Sequence, residues 1–204
     1  GSEMCIRDSA YSLTNNTTGA QNVAVGFQSL YANTVGVYNT GIGYRALFNN
    51  ISGISNTALG LEALYNNTTG INNTAIGSYD GGGLNAALRA NTVGIQNVAV
   101  GNGSLQASST GSANTAVGFG ALAYNTTNNN TAVGNKALYQ NTSGTPNDAF
   151  GYQALYSNTT GSYNAAFGIS ALNANTSGSE NAAFGGNALK SNTTGNYNCA
   201  IGYA

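Results

Sequence analysis

The sequence predicts a mainly β chain wound as a parallel β-solenoid, a β-roll of about eleven 17-residue coils. Three observations carry that expectation. An Asn followed four residues later by Gly recurs from Asn22/Gly26 to Asn198/Gly202, and successive Asn lie 17 residues apart in all but two intervals. Each of these Asn opens a short run T-A-φ-G, where φ is Val, Ile, Leu or Phe, a composition that favours extended backbone. The overall composition is far from that of an ordinary domain, with 5% charged and 41% hydrophobic residues and 29 glycines among 204 positions. A 17-residue unit is too short to bury a core alone and too short for a helical-hairpin repeat, so neighbours must stack and share one core.

Residues 1–9 stand outside the pattern. Gly1-Ser2-Glu3-Met4-Cys5-Ile6-Arg7-Asp8-Ser9 holds three of the eleven charged residues and the only methionine. It resembles the translation of a transposase adapter used in sequencing libraries, and is expected to be non-native and to make no core contact. Residues 10–204 are then expected to form one repeat domain, cut through a unit at each end. The consensus from each opening Asn is N-T-A-φ-G-x-x-A-L-Y-x-N-T-T-G-x-x, and residues 147–163 come close to it.

Each part of the unit has an expected role. In T-A-φ-G the second and fourth places share one face of the strand and the third points the other way. The φ column (Val25, Ile42, Leu59, Ile76, Val100, Val117, Val133, Phe150, Phe167, Phe184, Ile201) is expected to be the core. The ninth-place leucines, from Leu30 and Leu47 to Leu172 and Leu189, would close it. The fifth-place Gly suits a corner or a positive φ angle. The stretch x-x-A-L-Y-x is rich in helix formers and predicts a helical turn rather than a second short strand. N-T-T-G is turn chemistry, with Asn tolerating the left-handed region and Gly supplying positive φ. Between Asn114 and Asn130 one residue is missing, and Asn128 is expected to replace the turn glycine. Between Asn73 and Asn97 seven residues are added, including Tyr79-Asp80-Gly81-Gly82-Gly83, and these predict a tolerated loop.

The composition also excludes functions. With five Lys+Arg against six Asp+Glu there is no basic surface to neutralise phosphates, so no nucleic-acid partner is expected. Histidine is absent, which removes imidazole bases, His-based triads and imidazole metal ligands. No apolar run approaches the ~20 residues of a membrane helix, so no membrane contact is expected from this segment. Gly41-Ile42-Gly43-Tyr44-Arg45-Ala46 matches a dinucleotide fingerprint only by accident, without the βαβ context. Asp80 is alone in its loop, where calcium would need several carboxylates. The N-T-T triplets that match glycosylation acceptors follow from the turn consensus. Cys199 occupies the second strand place and is expected to be a small buried residue, not a nucleophile. No catalytic, cofactor-binding or metal-ligating residue is assigned, no cofactor is expected, and the chain is not expected to be an enzyme.

The N-T-A-V-G and N-T-A-I-G motifs at 114–118, 130–134 and 73–77, each opening a unit, resemble the head repeats of YadA-like trimeric autotransporter adhesins. Similar arrays also resemble the shafts of phage tail fibres. The resemblance spans residues 10–204 and implies a left-handed parallel β-roll, homotrimeric, displayed on an outer-membrane-anchored cell surface or on a virion. The unit is longer here than the head unit, and its motif one residue shorter. The implied function is a structural or adhesive segment of an extracellular fibre, with a tail-fibre shaft as the alternative and the host-surface or matrix ligand unknown. An ice-binding solenoid is a further alternative, resting on turn pairs such as Thr68-Thr69 and Thr159-Thr160, although the second member drifts to Val35, Ser52 and Val93. The third-place column, Ala at every unit but Gly41, is expected to face outward and to be the surface on which three copies meet.

Overall fold

The computed structural model describes residues 6–7, 9–79, 81 and 83–203. It is a single parallel sheet of twelve strands, each bonded to the next in chain order: β1 Ile6–Arg7, β2 Val23–Val25, β3 Thr40–Ile42, β4 Thr57–Leu59, β5 Thr74–Ile76, β6 Val98–Val100, β7 Thr115–Val117, β8 Thr131–Val133, β9 Asn147–Phe150, β10 Asn164–Phe167, β11 Ala182–Phe184 and β12 Cys199–Ile201. Register is like on like, as with Ala116 opposite Ala132 and Val117 opposite Val133. The chain is thus a β-solenoid with one strand per coil. The turns stack as well, since Leu30 N–H donates to Ala46 O at 3.0 Å and Thr34 N–H to Ile51 O at 3.0 Å. β1 lies inside the stretch expected to be non-native, yet its backbone pairs with Val23 and Ala24. β1 thereby covers the backbone edge that β2 would otherwise present.

The faces of the strand are the reverse of those expected. Ala24, Ala58, Ala75, Ala99, Ala116 and their successors to Ala183 are wholly buried, whereas Ile42, Leu59, Ile76 and Phe184 are exposed. The remaining φ residues are half-buried at best. The leucine column behaves as expected, and Leu47, Leu64, Leu122 and Leu155 have no exposed surface. The physical reason is the narrowness of the coil. Leu fills the space from one wall, leaving the facing wall room only for a methyl group, and close packing admits nothing larger.

Among the described residues, no helical turn and no second strand follow the fifth-place glycine. Gln28 and Leu30, two residues apart, sit at φ 55° and 51°, and the same pair recurs at Arg45/Leu47 and Glu62/Leu64. A left-handed residue at every second position cannot continue a right-handed helix, whatever its propensity. The fifth-place glycine does meet its expectation, with Gly118 at φ +133°. The turn glycine does not. Gly53 has no left-handed φ; a Cβ there would meet Asn67 Nδ2 and Gly70 O at 2.7 Å, so the position needs Gly for close approach. Asn128 likewise avoids positive φ, and in the shortened unit its neighbour Asn129 takes φ 59°, as seventeenth-place residues do elsewhere.

Candidate functional surface

Two asparagine ladders run through the interior and set the coil's shape. Oδ1 of each first-place Asn accepts the backbone N–H of the next, as from Asn39 to Asn22 at 2.9 Å and from Asn56 to Asn39 at 3.0 Å. Its amide donates across the coil to the turn glycine, as from Asn39 Nδ2 to Gly53 O at 2.7 Å. The twelfth-place Asn forms the second ladder, with Asn50 Nδ2 donating to Asn33 Oδ1 at 2.8 Å. These side chains are buried and paired, which is how buried amides avoid the cost of lost hydration. Sequence reasoning expected the first-place Asn to form a column and gave the twelfth-place Asn a turn role, and it missed the hydrogen-bond ladders. The signal was present, because turn chemistry alone would tolerate Asp, Ser or Gly in place of an Asn that never changes at the first place. The ladders also hold Asn125, Asn158 and Asn175 of the glycosylation-like triplets out of solvent.

What the ladders leave outside is a sheet face carrying the second and fourth places. The φ residues form a continuous apolar stripe along β2 to β12. Within it the rings of Phe150, Phe167 and Phe184 stack at centroid separations of 4.8 and 5.0 Å, nearly parallel. The second-place neighbours of φ vary along the sheet, with Val beside Val25 and Val100, Thr beside Val117 and Val133, and Asp148 beside Phe150. Thr stands beside Ile42, Leu59 and Ile76, and Ala stands beside Phe167 and Phe184. Asp148 is the one charged residue at these places in β2 to β12. Cys199, expected to be buried, is exposed and free, because the second place points the same way as φ.

The flanks carry aromatic rows of their own. Tyr31, Phe48 and Tyr65 stack at 5.2 and 5.1 Å, and Tyr139 stacks on Tyr156 at 5.3 Å while meeting Tyr124 edge-on. Arg45 lies over Tyr44 and Phe48, and Arg89 lies over Tyr65 while pairing with Glu62 at 2.8 Å. Burial, reinforced by the Tyr124 hydroxyl, pushes the Tyr139 phenol up to about 12. The loop added between Asn73 and Asn97 folds back on the array. Buried Leu84 covers Gly103 and Gly120, standing where a Cβ on Gly103 would come within 2.6 Å of it.

In the turns, the hydroxyl of the first Thr is bonded to backbone one coil on, as from Thr17 to Thr34 O at 2.9 Å and from Thr159 to Thr176 O at 3.0 Å. Among the described residues no three His, Cys, Asp or Glu side chains gather as a metal site, and no helix is long and apolar enough to cross a membrane. Compared with family models, curated proteins and solved structures, the chain matches none.

Proposed function

We propose that this chain is a structural and adhesive segment of an extracellular fibre, built as a homotrimer on the outer sheet face. The observation that carries this reading is the unbroken apolar stripe of φ residues along β2 to β12. A soluble chain avoids exposing an apolar strip of that length unless something covers it. Its in-register repetition, like residue opposite like along the sheet, fits a partner with the same repeat. The number three comes from the resemblance to YadA-like head repeats. The interface is therefore the φ face, not the alanine face, which the coil itself consumes. The phage tail-fibre shaft shares all of these features and differs only in what the fibre is attached to. The ice-binding alternative is the weaker reading, because the first hydroxyl of each turn pair is bonded to a backbone carbonyl, as at Thr17 and Thr159, and the second place drifts to Val35, Ser52 and Val93.

Light scattering on the purified chain tests the reading. The wild type should have the mass of a trimer, and Val117→Glu with Val133→Glu should have that of a monomer with an unchanged circular dichroism spectrum. A wild type that is a soluble monomer across micromolar to millimolar concentrations would overturn it.

A further inference from the structure

The twelfth-place ladder has one gap. From Asn33 to Asn91 each Nδ2 donates to Oδ1 of the preceding coil at 2.8 to 2.9 Å, with a second bond to the turn glycine carbonyl three residues on. At the next coil the residue is Ser108, which has no amide to donate. Asn91 Oδ1 and Ser108 Oγ are both buried without a hydrogen-bond partner, and both residues have no exposed surface. Gly111 O is short of a bond too. Its counterpart Gly53 O accepts from both Asn39 and Asn50, whereas Gly111 O accepts a side-chain amide from Asn97 alone, at 2.8 Å. The three atoms are neighbours. Asn91 Oδ1 and Gly111 O both crowd the point that a Cβ on Gly94 would occupy, and Ser108 Oγ lies 2.6 Å from the equivalent point on Gly111.

We propose that this gap is a binding site for one buried water molecule, which takes the place of the missing amide. A water has the two donors that Asn Nδ2 supplies elsewhere, and here they go to Asn91 Oδ1 and Gly111 O. It also accepts the Ser108 hydroxyl proton, giving the three bonds typical of a buried water. Serine is shorter than asparagine by about the size of the amide group, so the substitution frees a volume of the order of one water. A cation fits poorly, because no carboxylate faces the gap and the hydroxyl proton would point at it.

A crystal structure of the chain at a resolution that shows ordered water should reveal a single peak within about 2.6–3.2 Å of all three oxygens. Asn91 and Ser108 bonded directly, with nothing between them, would overturn the proposal. Ser108→Asn should expel the water, join Asn91 to the rest of the ladder and raise Tm by about 2–4 °C. Asn158→Ser should do the reverse, placing a new water between Asn141 Oδ1 and Gly161 O and lowering Tm. An Asn158→Ser structure whose gap closes without a water would count equally against the site.

Discussion

Gly41 is the one third-place residue that is not alanine, and its neighbour explains it. Ser29 stands at the eighth place, where most coils carry Ala, and donates its hydroxyl to Gly41 O at 2.8 Å. A Cβ on Gly41 would come within 2.6 Å of that hydroxyl and 3.3 Å of Ala46 O. Gly41→Ala should therefore destabilise the chain by about 1–3 kcal/mol by overpacking. Adding Ser29→Ala should recover most of the loss, as read from urea unfolding midpoints. The core assignment is tested in the same way. Leu172→Ala should cost about 2–5 kcal/mol. Phe167→Ala, at a half-buried outer position, loses its two stacked neighbours at about 0.5–1.5 kcal/mol each together with the burial of the covered part of its ring, but leaves no internal cavity, when folding is followed at a concentration where chains do not associate. The Tyr139 phenol adds a pH dependence. Its folded value lies above the ordinary 10, so its contribution is intact below pH 10 and is lost as pH rises towards 12. Thermal melts of Tyr139→Phe should lose that alkaline sag, while the wild type retains it. The leucines were legible as core because nothing but burial keeps Leu at one place through coil after coil. The asparagines were not, because a polar residue beside Thr and Gly reads first as a turn.

At the scale of the element, strands β2 to β12 were legible, while β1, inside residues 1–9, and the orientation of the strands were not. Alternation in T-A-φ separates two faces, but it does not say which face is inside. Size was the misleading guide. Bulk usually goes to the core, yet a coil with leucine on one wall has room only for Ala116 and its equivalents on the other. The uniformity of the alanine column was the better indicator, since a strictly limited volume enforces one side chain where an open surface does not. The stretch after the fifth-place glycine failed for a different reason. Its Ala-Leu pairs favour a helix, but the left-handed residues at the seventh and ninth places are imposed by bonds between coils, such as Leu122 N–H to Ala137 O at 3.0 Å. The ladder is the element these bonds depend on. Asn56 accepts from Asn73 N–H and donates to Gly70 O at 2.8 Å, so Asn56→Ala leaves several buried groups unpaired. It should cost about 3 kcal/mol or more, against within about 0.5 kcal/mol for Thr69→Ala on the exposed turn. Chemical denaturation of the two variants side by side makes the comparison.

At the scale of the whole molecule, every coil from β2 to β12 presents an apolar φ residue at the equivalent position, so the outer sheet face carries a continuous apolar column. That geometry is the basis for reading the chain as a fibre segment. If copies join on this face in register, residue 117 of one chain must meet residue 117 of the others. Val117→Cys, in a Cys5→Ser and Cys199→Ser background, tests this most directly under mild oxidation. The account predicts covalent dimers holding two of every three chains, with the third left single, and no heterodimer when the Val117→Cys chain is mixed with a Val133→Cys chain. A chain that stays folded and entirely monomeric on a non-reducing gel would contradict it.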